Sequence, residues 1–150
     1  MTTKPRGRQF FFNPGPTNIP DRVLNAMNRP TLDFMAEEFL AIQRRVHAGL
    51  MRVLKTEQNL LVYASNGHGA WEAALVNTLE PGDRILMIES GRFSESWTEM
   101  AHALGYEVET LAADWRRGVD PNRLAERLKS DGKGVIKAVL TVHNETSTGM

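Results

Sequence analysis

The side chains able to do chemistry in this chain gather in three short stretches, each following an apolar run. The first, Ser65-Asn66-Gly67-His68-Gly69, sets two glycines around a histidine, between Leu60-Leu61-Val62-Tyr63 and a helical pattern. Glycine lets a ligand approach the backbone closely, and the N–H groups at a helix start favour an anion, so a phosphate is the natural guest. The stretch is not a Walker loop, because no Gly-Lys-Ser/Thr follows, and Glu72 stands where a dinucleotide fingerprint has its third glycine. A tight turn that uses glycine only for geometry is the competing reading, and His68 reads as a hydrogen-bonded turn residue as readily as a functional one. The second stretch runs from Glu89 to Ser94 and puts Phe93 at the opening of a helix. Phe93 is either a core aromatic or a flat face for a planar ligand; Trp97, one turn later, reads as core or interface. The third, His143-Asn144-Glu145-Thr146-Ser147-Thr148-Gly149, holds six polar side chains in seven residues, with hydroxyls and an amide suited to a phosphate or a similar oxygen-rich group. No histidine pair sits at i, i+4 on a helix, so no metal site is expected.

Composition narrows the classes. The 150 residues carry 18 Lys+Arg against 18 Asp+Glu, and zero net charge argues against a nucleic-acid partner. The hydrophobic share of 41 % and charged share of 24 % are those of an ordinary globular domain. There is no cysteine, which excludes disulfides, thiolate nucleophiles and Cys-ligated zinc. No apolar run approaches the roughly 18 residues of a membrane span. Phe10-Phe11-Phe12 after Lys4, Arg6 and Arg8 is shorter than the about 7–15 residues of a secretory core. The expectation is a cytoplasmic protein with no membrane partner.

The elements that must hold these stretches follow from periodicity. Residues 1–18 read as an arm ending in the turn Asn13-Pro14-Gly15-Pro16-Thr17, and residues 19–58 as a helical segment. Pro20 suits the first turn of a short helix carrying Val23, Leu24 and Met27. Met35, Phe39, Ile42, Val46, Leu50 and Val53 recur in steps of three and four, which predicts an amphipathic helix over 34–54 packed on a body. From residue 59 the pattern alternates: strands over 60–63, 85–88, 106–111 and 135–142, with helices over 70–79, 93–104 and from Asp120-Pro121 onward. That order predicts an α/β fold, a mainly parallel sheet with helices on both faces, with ligand loops beyond the carboxyl ends of the strands.

Taken together, Asn13-Pro14-Gly15-Pro16-Thr17, the run from Ser65 to Ala74, Glu80-Pro81-Gly82-Asp83 and the run from His143 to Gly149 resemble the class V aminotransferases, pyridoxal-phosphate (PLP) enzymes of fold-type I. The likeness is strongest to the serine–glyoxylate and alanine–glyoxylate members and runs in order along the whole chain. It implies that residues 59–150 begin the PLP-binding large domain. Gly67, His68 and Gly69 would lie at the PLP phosphate, with the N–H groups of Gly67 and His68 as donors. Phe93 would stack on the pyridine ring, where the family commonly has Trp, and Thr146 would bring a hydroxyl to the cofactor. Gly15 and Pro16 would lie at the substrate mouth.

The resemblance also implies a lysine that holds the cofactor covalently and an aspartate at the pyridine nitrogen, both after the Thr146 loop. Lys4, Lys55, Lys129, Lys133 and Lys137 fall in a tail, helix ends, a turn and a strand, so no catalytic lysine is expected here; it is expected beyond Met150, this chain reading as the N-terminal portion of a longer enzyme. The implied activity is amino transfer from a small amino acid, serine or alanine, to glyoxylate or a similar 2-oxo acid, by a homodimer. The alternatives are another class V activity, such as a lyase on Cys-derived substrates, a non-enzymatic α/β domain binding a phosphate ligand, or an inert piece that only associates.

Overall fold

A computed structural model describes residues 7, 10–12 and 15–150. The turn expected at Asn13-Pro14 and most of the arm before it lie outside the described residues. The chain forms two compact units, residues 1–62 and 63–150.

The first unit holds α1 (Asp21–Met27), with Pro20 at its N-cap, and α2 (Glu37–Leu54). Both elements stand where periodicity predicts them, α2 starting at Glu37 rather than 34. The expectation that α2 packs its apolar face away is not met within this unit. Neither helix contains a buried residue, and Met35 just before α2, Val46 and Val53 are all exposed. Two helices of this size lack the surface to enclose each other's apolar stripes.

The second unit carries the core. Its helices are α3 (Gly67–Thr78), α4 (Arg92–Ala103) and α5 (Pro121–Ser130), and its strands β1 (Arg84–Ile88), β2 (Glu107–Leu111) and β3 (Ile136–Leu140). The strands form one parallel sheet in the order β2-β1-β3. The central strand β1 is buried from Ile85 to Ile88, as expected of an apolar run with covered faces. Ile85 and Met87 pack with Leu75 of α3, Ala101 of α4, Tyr106 and Leu140. On the other face Glu109, in register with Leu86, pairs with Arg127 of α5, and Ile88 shares a cavity with Pro121 and Leu124. Helices therefore cover both faces, as right-handed crossovers leading to opposite sides of β1 require.

Local signals set the element ends. Gly105, at φ +89, closes α4: its N–H reaches His102 O at 3.0 Å and the Tyr106 N–H reaches Ala101 O at 3.1 Å, the two bonds of a Schellman motif. Asp120 caps α5 by accepting from the Asn122 N–H at 2.9 Å, with Pro121 in the first turn.

The strand expected over 60–63 does not form. Leu61, Val62 and Tyr63 are exposed by 75, 71 and 55 %, and the segment has no ladder partner among the described residues. An apolar run signals a wish to be buried, but a strand also needs a neighbour for its N–H and C=O groups. Among the described residues the alternation thus has three strands, not four.

Candidate functional site

The helix after the first stretch begins at Gly67 rather than at Ala70, because Asn66 is its N-cap. Asn66 Oδ1 accepts from the His68 N–H at 3.1 Å, and Asn66 O from the Gly69 N–H at 3.1 Å. Gly67, His68 and Gly69 therefore form the first turn of α3. The two glycines differ. A Cβ added at Gly69 would lie 2.2 Å from Ser65 Oγ and 2.8 Å from its Cβ, so packing against Ser65 explains that glycine. A Cβ at Gly67 would meet nothing within 4 Å, and Gly67 is exposed. The fold itself does not require a glycine there.

The second stretch sits at the carboxyl end of β1. Ser94, fully buried, accepts from the Ser90 and Gly91 N–H groups at 3.0 Å each and donates to Gly91 O at 2.6 Å. Phe93 is half-buried and belongs to an aromatic group with His68, Trp71 and Trp97. Its ring centre is 6.2 Å from that of His68 and 6.1 Å from Trp71, edge-on at 79°. Trp71 stacks on Trp97 at 5.0 Å. The aromatic contacts join the start of α3 to the start of α4.

The third stretch is tied to the second by Glu145, which is 1 % exposed. Glu145 Oε2 accepts from the Phe93 N–H at 3.0 Å and the Ser94 N–H at 3.2 Å, and Oε1 accepts from the Ser147 N–H at 3.1 Å and hydroxyl at 2.7 Å. Ser147 Oγ accepts from the Arg92 N–H at 2.9 Å, and the Thr148 hydroxyl donates to Ser90 O at 3.1 Å. Burial pushes the Glu145 carboxyl up. The hydrogen bonds from the Ser147 hydroxyl and N–H and from the Phe93 and Ser94 N–H groups outweigh it and hold the group below its ordinary value. Gly91 gives way to this carboxylate: a Cβ there would lie 2.6 Å from Glu145 Cγ and 2.5 Å from Ser147 Oγ.

The residues singled out from sequence thus divide. His68 and Phe93 are brought together, and Thr146, exposed, directly follows the carboxylate that holds the Phe93 N–H. Glu145, Ser147 and Thr148 spend their polar groups inside the protein. Gly15 and Pro16 are exposed in the first unit. Sequence reasoning missed Glu145, Ser94 and Asn66. Asn66 was findable, as an N-cap residue type before a helical run. Glu145 has a local partner in Ser147, but its bonds to the Phe93 and Ser94 N–H groups, about fifty residues back, leave no local signal. Among the described residues no group of three or more His, Asp or Glu is placed to hold a metal ion, and no helix is long and apolar enough to cross a membrane.

Comparison with known proteins adds the following. Residues 9–150 match the family described as aminotransferase class-V. The serine–glyoxylate aminotransferase of Methylorubrum extorquens is 40 % identical over 149 residues, which are 99 % of this chain and 37 % of the relative. The L-aspartate–glyoxylate aminotransferase of Paracoccus denitrificans is 39 % identical over 93 % of this chain and 36 % of its own length. The crystal structure of ureidoglycine–glyoxylate aminotransferase from Bacillus subtilis superposes with a TM-score of 0.81 at 30 % identity, over 91 % of this chain and 35 % of that one. The chain spans little more than a third of the length of these relatives.

Proposed function

This chain belongs to the class-V aminotransferase family, and from that premise we propose that it forms the cofactor cradle of a PLP-dependent enzyme moving the amino group of serine, alanine or a similar small amino acid to glyoxylate or a related 2-oxo acid. Enzymes of this family and the solved structures this chain resembles are PLP-dependent. The names of three relatives, which transfer amino groups to glyoxylate from serine, aspartate or ureidoglycine, support the acceptor and leave the donor among small amino acids.

The observation that carries the reading is the open first turn of α3 beside a half-exposed aromatic. The space in front of Gly67 is free of protein, while the helix end behind it carries partial positive charge, which suits a phosphate dianion. As the first of the helix, the Gly67 N–H would be offered to a phosphate oxygen, which would also share the His68 N–H with Asn66 or take it over. Half-buried Phe93 would stack its ring on the cofactor, and the hydroxyl of the exposed Thr146 would donate to or accept from a ring substituent. When bound, the cofactor supplies the electron sink that makes the Cα–H bond of an amino acid acidic. The chain's own part is to bind the phosphate and orient the ring.

The lysine of the reaction belongs, on this reading, to sequence beyond residue 150. Lys129 lies in α5, Lys133 in the turn after it, and Lys137 in β3 with Nζ donating to Gly134 O at 3.3 Å, towards the amino end of the strand. The working enzyme is, on the same reading, a cytoplasmic homodimer; the exposed Phe34, Met35 and Val53 of the first unit suit burial against a second copy.

The test is PLP titrated into the natural protein, read by quenching of tryptophan fluorescence, with glycine formation from serine or alanine and glyoxylate as the second measurement. Gly67→Val should weaken PLP about tenfold or more by filling the open space, and Phe93→Ala about fivefold, the equivalent of ~1 kcal/mol of stacking. Parental affinity in both variants would overturn the site.

A further inference from the structure

We propose that Glu145 is a positioning residue of this site, a built-in anion at the start of α4 that fixes the Phe93 ring and the Thr146 loop as one unit. The proposal rests on the cofactor reading above and goes beyond it, since Glu145 itself would touch no cofactor. Its carboxylate is fully enclosed and takes hydrogen bonds from both directions. Oε2 holds the Phe93 and Ser94 N–H groups of α4, and Oε1 holds the Ser147 N–H and hydroxyl of its own loop. Phe93 is thereby fixed through its own backbone N–H, and the exposed Thr146 is flanked by Glu145 and by Ser147, which donates to the Glu145 carboxylate. The backbone segments that carry the ring and the hydroxyl are tied to each other while that carboxylate is charged and in place. Gly91, which has no room for a Cβ against Glu145 and Ser147, completes the fit.

A second consequence follows from the same bonds. A helix start attracts anions, and two lie close together here, at α3 and α4. Glu145 already occupies the first-turn N–H groups of α4, so a ligand phosphate is left with α3 alone. The carboxylate therefore helps set which way a planar, phosphate-bearing ligand lies: phosphate at Gly67, ring at Phe93.

The test uses the natural protein, with and without PLP. Glu145→Gln keeps the size of the side chain but turns an amide NH2 towards donors. It should alter the near-ultraviolet circular dichroism of the His68, Trp71, Phe93 and Trp97 group in the cofactor-free protein, and weaken PLP about tenfold, the equivalent of ~1.4 kcal/mol. The deciding comparison is with Phe93→Ala. In the parent that change should cost about fivefold in PLP affinity, but in the Glu145→Gln background less than about twofold, because the ring it removes is no longer held. Should Glu145→Gln not fold, Ser147→Ala, which leaves the bonds to Phe93 and Ser94 intact, should give a smaller weakening that is likewise less than multiplicative with Phe93→Ala. Effects that multiply, or a Glu145→Gln protein that loses only melting temperature while binding PLP at parental affinity, would overturn the proposal. Failure of the cofactor reading looks different: Gly67→Val and Phe93→Ala would then each bind PLP as the parent does, and both ideas fall.

Discussion

The helices α3 and α4 start at adjacent places in the second unit and answer the same electrostatic demand in opposite ways. Each exposes first-turn N–H groups that want an acceptor. At α4 the acceptor is a buried carboxylate brought from the far end of β3, and the fit around it is so close that Gly91 has no space for a methyl group. At α3 the acceptor is the short local side chain of Asn66, and the space before Gly67 is empty of protein. One helix start is completed by the protein; the other is left accessible. Two glycines at these helix starts, Gly91 the N-cap of α4 and Gly67 the first residue of α3, therefore mean different things. Gly91 is a requirement of packing, and Gly67 is a glycine the packing does not use.

The largest effect expected from this contrast is at Gly91. In Gly91→Ala the new Cβ must push back Ser147 Oγ and the Glu145 side chain, neither of which is free to leave its hydrogen bonds. The loss should be about 2–3 kcal/mol in denaturant unfolding, in the range of overpacked sites. A loss under about 0.5 kcal/mol would mean the closed corner is loose, and the contrast with α3 would disappear.

An intermediate effect is expected in acid. Burial pushes Glu145 up, but its four donors outweigh that and hold it below its ordinary value of 4.5. A carboxylate whose folded pKa lies below its unfolded one adds stability that is fully present above the unfolded value. That stability is lost as pH falls through the folded one. The parent should therefore weaken from about pH 4.5 downward. Glu145→Gln, lacking the titration, should give a flatter stability curve in that window. Glu109, lowered by its hydrogen bonds to Arg127, and Asp131, lowered chiefly by the Ile136 N–H, contribute equally to both proteins and cancel in the comparison. Parallel curves for parent and variant would show that the carboxylate is not the closed corner's anion.

The same contrast explains what was legible in the sequence. The α/β order, the parallel sheet and five helices could be read from periodicity and end signals, because Asp120-Pro121, Gly105 and the run Ile85-Leu86-Met87-Ile88 act within a few residues of themselves. The strand at 60–63 was misread because pairing is not a local property: the run is apolar enough, but no described strand lies beside it. Family motifs singled out Gly67, His68, Phe93 and Thr146 by resemblance, and the fold draws His68 to Phe93. Glu145 escaped because its meaning depends on β1 and β3 being neighbours, which no spacing in the sequence states. Read locally, the stretch from His143 to Gly149 was a set of ligand groups. In the structure three of its side chains, those of Glu145, Ser147 and Thr148, are used to hold the loop itself.

The smallest change in stability, and the sharpest test of the contrast, is expected at Gly67. As the first residue of α3, Gly67 has a helical backbone that alanine adopts freely, and a methyl group there meets nothing within 4 Å. Alanine also leaves the unfolded chain less conformational freedom than glycine does. Gly67→Ala should therefore be neutral or stabilising, by no more than about 0.5 kcal/mol. If Gly67 exists to let a phosphate approach the start of α3, the same substitution should nonetheless weaken PLP, because the methyl group occupies the approach. Stability unchanged and affinity reduced is a signature no packing role produces. Unfolding of the cofactor-free protein and PLP titration, measured on the same preparation, separate the two. A destabilisation of more than about 1 kcal/mol would mean that Gly67, like Gly91, is a glycine the fold requires, and the accessible helix start would then be closed as well.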